Sequence, residues 1–139
     1  MGARRSTRSN QRGEITMYVD GFLLPIAKKK IAAYRKVAKL ASKVWKDHGA
    51  LEYVECVADE LESKHDGKVM KSIFPKMAGT KAGETVVFSW ITYKSKADRN
   101  RIMKKVMADP RLEKMMDPKN MPFDMARMGW GGFKPIVEA

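Results

Sequence analysis

Three charged side chains interrupt segments that otherwise have the composition of β-strands. Asp20 lies between Val19 and Gly21, Glu55 lies within "LEYVECVA", and Arg127 precedes the glycine-rich "GWGGF". A charged group in a strand is costly to bury unless it is paired or solvated. We therefore predict that Asp20, Glu55 and Arg127 point into an apolar cavity and form a polar cluster there.

Such a cluster could bind and activate a small molecule. Arg127 would hold an anionic or carbonyl group of the ligand, and Asp20 or Glu55 with a raised pKa would act as a general base. Trp90, on the most apolar predicted strand, is a further candidate ligand contact. The alternative is that the three charged groups form a buried structural ion pair or bridge a dimer interface.

His48 is a third candidate base, at the end of the apolar stripe of the first predicted helix. A histidine there can instead stabilise the helix dipole as a cation. The chain has two histidines and one cysteine, and neither His48 nor His65 has a zinc-like spacing to Cys56. We expect no metal and no bound cofactor. Because a single cysteine cannot form an intramolecular disulfide, a reducing cytoplasm is the expected location.

The elements that must position these residues alternate between strand and helix patterns. Their order, β-α-β-β-α-β, is typical of an α+β, ferredoxin-like fold with an antiparallel sheet and both helices on one face. Residues 59–83 are predicted as a long connection in which "VMKSIF" is an irregular strand extension. Strands are predicted at 17–24, 51–58, 84–93 and 125–133, main helices at 27–48 and 96–108, and a short helix at 110–116.

Both faces of the predicted sheet carry apolar residues, which is unusual for a monomer with one solvated face. A second copy related by two-fold symmetry is the simplest cover for the face without helices. The sequence therefore predicts a homodimer. Single-strand alternation puts Val19, Leu23 and Val87 on one parity, and Tyr18, Phe22, Phe88 and Trp90 on the other.

Length and charge set limits on the remaining possibilities. The 139 residues carry a formal net charge of +12. We predict one domain at 17–139 and a disordered basic extension at 1–16, which is either an RNA-binding or targeting arm or an extension upstream of the natural start. The basic helices raise nucleic acid as a partner, but the aromatic residues lie in strands rather than among the lysines. No apolar run approaches the roughly 20 residues of a membrane span.

Five motifs occur in order along residues 17–136. They are "YVDGF" at 18–22, "GALEYVEC" at 49–56, "VVFSWITYKSKADR" at 86–99, "MADPR" at 107–111 and "MPFDMARMGWGGF" at 121–133. With these motifs the chain resembles the YbaA-like family of bacterial proteins, a domain of unknown function in the dimeric α+β barrel superfamily. The resemblance implies a homodimer whose two sheets face each other, in a superfamily that includes cofactor-free monooxygenases, haem-degrading enzymes and small-ligand-binding modules.

These observations predict a cytoplasmic homodimer that binds a small anionic or aromatic compound within the barrel. Whether it also catalyses a reaction without a cofactor stays open. The alternatives are a non-catalytic stress or metabolic binding module, and a weak RNA-binding protein that uses its basic helix faces.

Overall fold

The computed structural model describes residues 17–119 and 121–139, so the predicted extension at 1–16 lies outside the described residues. Two short 3₁₀ helices, Lys28–Lys30 and Met125–Arg127, accompany the main elements. In chain order these are β1 (Tyr18–Ala27), α1 (Ile31–Asp47), β2 (Glu52–Val57), β3 (Glu62–His65), β4 (Lys68–Lys71), α2 (Phe74–Ala78), β5 (Glu84–Tyr93), α3 (Lys96–Met107), α4 (Pro110–Met115) and β6 (Gly129–Phe133).

The main sheet has four antiparallel strands in the order β2-β5-β1-β6. With α1 and α3 as crossover helices, this is the strand order of a ferredoxin-like α+β fold. The element order departs from the predicted one because β3, β4 and α2 are inserted between β2 and β5. Both main helices pack on one face, where Val44 of α1 and Ile102 of α3 share a core cluster with Ile91 of β5.

Side-chain caps fix the starts of α3 and α4 where the sequence predicts them. The Ser95 hydroxyl accepts a hydrogen bond from the Asp98 backbone N–H at 3.0 Å. The Asp109 carboxylate accepts one from the Arg111 N–H at 2.9 Å, with Pro110 in the first turn. Both caps satisfy backbone donors that a helix N-terminus leaves free.

β1 is longer than predicted because Pro25 does not end it. Pro25 pairs with Val86 of β5, whereas the β6 partners cover only Val19–Leu23. Pro25 therefore has no partner on β6. The N–H that proline lacks is not needed for a hydrogen bond to that strand. Proline is compatible with a strand at such an edge position.

The predicted long connection contains a β-hairpin and a short helix, which corrects the expectation of a loop. Asp66 and Gly67 both have positive φ values, 50° and 75°, as a tight hairpin turn between β3 and β4 requires. All eight strand residues of the hairpin are exposed. Because the hairpin buries so little, its strands lack the apolar alternation by which strands are predicted from sequence.

Strand register also corrects the predicted grouping of apolar residues. Leu23 pairs with Phe88, whereas Val87 pairs with Leu24, and directly paired side chains share a face. Val87 therefore faces the helices and Phe88 faces away from them. We call the face without α1 and α3 the open face. Phe88 and Phe133 on it are 46% and 60% exposed, whereas Val86 is buried. Its large apolar side chains are Val19, Leu23, Val54, Val86, Phe88, Trp90 and Phe133.

Within the parts of the chain that the structure describes, no helix combines the length and apolarity needed to cross a bilayer.

Candidate functional site

A cavity of about 340 Å³ lies between the helix-facing side of the sheet and the elements above it. This volume falls at the lower end of the range for small-molecule pockets. Strand alternation turns every second residue of β1 toward it, and α1 contributes residues at steps of three and four. The β1 and α1 side chains that line it include Asp20, Phe22, Leu24, Tyr34, Ala38, Ala41 and Trp45.

Register places the two candidate carboxylates in adjacent rows across the cavity floor. Asp20 lies on β1 and Glu55 on β2, with β5 between them. Both face the helices, so the polar groups lie between sheet and helices. The sequence predicts these groups inside a barrel between the two facing sheets of a homodimer, so their position on the helix side is a correction. The two rows are Phe22–Ser89–Glu55 and Asp20–Ile91–Tyr53.

Glu55 accepts hydrogen bonds from two tyrosines. The Tyr34 hydroxyl donates to Oε1, and the Tyr53 hydroxyl donates to Oε2 at 2.7 Å. Burial and the nearby Glu55 charge raise the pKa of both tyrosines, because each effect disfavours the phenolate. Both hydroxyls therefore keep their protons at neutral pH and remain donors to Glu55.

Asp20 has a different set of partners and is 8% exposed. Its Oδ2 accepts a hydrogen bond from the Tyr93 hydroxyl at 2.9 Å, and its Oδ1 lies 3.2 Å from Arg99 Nε. The Nε–H is not aligned for a hydrogen bond, so this second contact is an ion pair. Burial raises the pKa of Asp20, and the Tyr93 hydrogen bond and the Arg99 charge offset part of that rise.

Arg99 is held by a close approach of β6. Its guanidinium lies over the Tyr18 ring, 5.0 Å from the ring centre. A Cβ atom at Gly132 would overlap the Tyr18 hydroxyl and come within 2.5 Å of Arg99 Nη2. Glycine at 132 therefore leaves the space in which Arg99 reaches Asp20, which explains one of the glycines in the last strand.

Methionine and aromatic side chains form the rest of the wall. Met107, Met125 and Trp130 are 58%, 44% and 73% exposed, so they mark the mouth of the cavity. Methionine adapts its shape to a guest more easily than branched residues do. The methionines that line the cavity are Met103, Met107, Met115, Met116, Met121, Met125 and Met128.

Arg127 lies outside the cavity, in contrast to the prediction that it joins Asp20 and Glu55. Its guanidinium binds both carboxylate oxygens of Glu84, at 2.7 and 2.8 Å, and the Gly79 carbonyl at 2.8 Å. The predicted strand position is wrong because Met125–Arg127 forms a 3₁₀ turn, and β6 begins only at Gly129. Arg127 thus anchors the segment that precedes β6.

Trp90 and His48 are also placed differently from the predicted cluster. Trp90 lines the cavity, but its ring packs against Phe88, 5.8 Å away between ring centres, on the open face. His48 lies outside the cavity, with Nε2 2.8 Å from Asp109 Oδ2. Because Arg111 and His48 both bind Asp109, they lower its pKa. His48 therefore links the end of α1 to the start of α4.

Four polar side chains of the site are absent from the sequence-based prediction: Tyr34, Tyr53, Tyr93 and Arg99. Tyr34 has a usable signal, because it lies on the apolar stripe of α1, and Tyr53 lies two residues before Glu55 on the same strand face. Arg99 is one of many basic residues in α3, so its spacing carries no such signal. In the described ranges, no group of three or more His, Cys, Asp or Glu side chains is arranged to hold a metal ion.

Comparison with known proteins places the chain in a family. Residues 17–125 match the family model described as a protein of unknown function (DUF1428). The uncharacterised protein YbaA of Escherichia coli K12 is 41% identical over 121 residues, which cover 87% of this chain and 97% of YbaA. YbaA of Shigella flexneri matches to the same extent.

A solved structure also aligns with the chain, but only distantly. The de novo designed protein Foldit4 covers 88% of this chain and 99% of its own, with a TM-score of 0.39 and 13% identity. That likeness is too remote to bear on fold or function. The family match and the identity to YbaA are sufficient by themselves: the chain belongs to the YbaA-like DUF1428 family of proteins of unknown function.

Proposed function

We propose that this protein binds a small, mainly apolar molecule in the cavity between the sheet and its helices. The observation that carries the proposal is the combination of an apolar wall with two buried or half-buried carboxylates on the floor. A predominantly apolar pocket with a few convergent polar groups is the usual form of a small-molecule site. The polar groups would orient the guest, and the methionines would fit its shape.

The same floor offers one candidate for cofactor-free catalysis. The raised pKa of Asp20 suits a group that takes a proton from a bound substrate. Arg127, predicted to hold an anionic group, lies outside the cavity, and Arg99 is already paired with Asp20. The proposed ligand is therefore apolar or aromatic and carries no negative charge.

A cavity-filling variant tests the binding proposal. Ala38→Phe would place a ring in the cavity, whereas Ala33→Phe adds the same ring to the exposed side of α1 as a matched control. We expect 1-naphthalenemethanol, followed by calorimetry, to bind the unmodified protein and Ala33→Phe alike. Binding to Ala38→Phe should be at least about tenfold weaker. Equal affinity for all three proteins would contradict a site in this cavity.

We further propose that a second copy of the chain covers the open face. Phe88 and Phe133 leave much of their rings in solvent there, and Phe74 of α2 extends the patch by packing on Phe88 at 6.0 Å between ring centres. Exposed aromatic patches of this kind mark interaction surfaces. In this arrangement the cavity and the dimer contact use opposite faces of the sheet.

Nucleic-acid binding is the second candidate function. Four exposed lysines, Lys36, Lys39, Lys43 and Lys46, recur at steps of three and four along α1 and form one basic stripe. Such a stripe would bind a phosphate backbone with strong salt dependence. The described aromatic rings lie in the cavity and on the sheet rather than beside these lysines, so base stacking has no platform here. We rank this function below ligand binding.

A further inference from the structure

The ionisable groups of the cavity leave an uncompensated negative charge. The described residues that line it include two carboxyl groups, Asp20 and Glu55, and one guanidinium group, Arg99. Asp20 and Arg99 compensate each other in the ion pair at 3.2 Å. Glu55 has two tyrosine hydroxyls as partners, and these neutral donors do not remove its charge.

Glu55 can still bind a further donor. In both of its hydrogen bonds it acts as the acceptor, as an ionised carboxylate does, and each carboxylate oxygen can accept a second bond. The hydroxyl oxygens of Tyr34 and Tyr53 can accept as well. Three acceptor groups therefore converge at this end of the cavity, without a free cation among the described lining residues.

The two tyrosines that bind Glu55 are each packed against a second aromatic ring. Tyr34 packs edge-on against Phe123, 5.4 Å between ring centres. Tyr53 packs against Trp45, 5.9 Å away at an angle of 53°. A guest that binds the Glu55 carboxylate would therefore lie beside these aromatic side chains. Ring faces attract cations, most strongly where water is excluded.

We propose that the ligand is an apolar or aromatic amine, whose protonated nitrogen binds Glu55 beside these two aromatic pairs. The inference rests on the proposed function and specifies its ligand class. An anionic ligand would be repelled by Glu55 and would have to displace Asp20 from Arg99. A neutral ligand would fill the apolar wall but leave the Glu55 charge without a counter-ion.

Three probes that share one ring system and differ in charge test the inference. 1-Naphthylmethylamine, protonated at neutral pH, should bind about tenfold more tightly than neutral 1-naphthalenemethanol. 1-Naphthoate should bind more weakly than both. Titration calorimetry at one salt concentration gives the three affinities. A neutral or anionic probe that binds as tightly as the amine, or more tightly, overturns the inference and leaves the apolar cavity as a site.

Matched substitutions test whether Glu55 causes the preference for the amine over the alcohol. Glu55→Gln should bring the affinities for the amine and the alcohol to within about twofold of each other, because it removes the charge and keeps the shape. Glu52→Gln, on the opposite face of β2, should leave the preference unchanged. An amine preference that survives Glu55→Gln contradicts the assignment of Glu55. If circular dichroism shows that Glu55→Gln is misfolded, the affinities of the three probes for the unmodified protein test the inference instead. Failure of all three probes to bind would reject the proposed function itself.

Discussion

At the scale of single residues, Asp20 is a carboxyl group whose ionisation the fold opposes. Burial raises the pKa of Asp20 above its ordinary value, although the Tyr93 hydrogen bond and the Arg99 charge offset part of that rise. The folded state therefore holds the Asp20 proton more tightly than the unfolded state. By linkage, ionising Asp20 costs stability as the pH rises from its unfolded pKa through its higher folded pKa.

Removing the Tyr93 hydroxyl should increase that cost. In Tyr93→Phe the ionised Asp20 loses a donor 2.9 Å away, so we expect a loss of about 1–3 kcal/mol in the free energy of unfolding at pH 7. The loss should shrink near pH 3, where Asp20 is protonated in both states. Urea unfolding at both pH values measures it. Tyr18→Phe is the control, because its hydroxyl contacts Arg99 and not Asp20; an equal loss at both pH values would argue against the charge-based explanation.

At the scale of elements, the Arg127–Glu84 pair joins the 3₁₀ turn before β6 to the start of β5. The paired guanidinium lowers the pKa of Glu84 to about 2. Because the folded pKa lies below the unfolded value, the pair contributes stability above pH 4.5, and that contribution is lost as the pH falls toward 2. The turn carries Met125 and leads to Met128, so the pair also positions part of the cavity wall.

Arg127→Lys should weaken this anchor while keeping the charge. Lysine cannot bind both Glu84 oxygens and the Gly79 carbonyl with the geometry of a guanidinium fork. We expect a lower melting temperature at pH 7, with the difference from the unmodified protein vanishing as Glu84 is protonated. Calorimetric scans between pH 7 and pH 2 follow both proteins, and Arg35→Lys on the exposed side of α1 is the control. A difference that stays constant with pH would contradict the role of Glu84.

Local signals in the sequence predict some of these elements and not others. β5 and the capped starts of α3 and α4 follow from local signals, namely a dense apolar strand and Ser95 or Asp109 before a helical pattern. The sequence does not predict the hairpin, because its exposed strands lack apolar alternation, although Asp66-Gly67 is a strong turn signal. A charge within a strand directs attention to Asp20 and Glu55, and both side chains line the cavity. Which face each occupies depends on pairing between strands, and this is not visible in any single strand.

At the scale of the whole molecule, the proposed dimer and the cavity are separable. Phe88→Asp should dissociate a homodimer by placing a charge in the proposed contact, whereas Leu40→Asp, on an exposed part of α1, should not. Analytical ultracentrifugation at micromolar concentration distinguishes the two states, with circular dichroism as the folding control. A folded single subunit of the unmodified protein under these conditions would end the dimer proposal. Naphthyl probes should still bind the dissociated variant, because the cavity floor and roof come from one chain.

We expect the methionine-rich wall to make the cavity sensitive to oxidants. Peroxide converts thioethers to sulfoxides and acts first on those that solvent reaches, here Met107, Met116 and Met125 at the mouth. Each added oxygen would turn a flexible apolar side chain at the entrance into a polar sulfoxide. Guest uptake would then fall under oxidative conditions and return only after methionine sulfoxide reductases had repaired the rim.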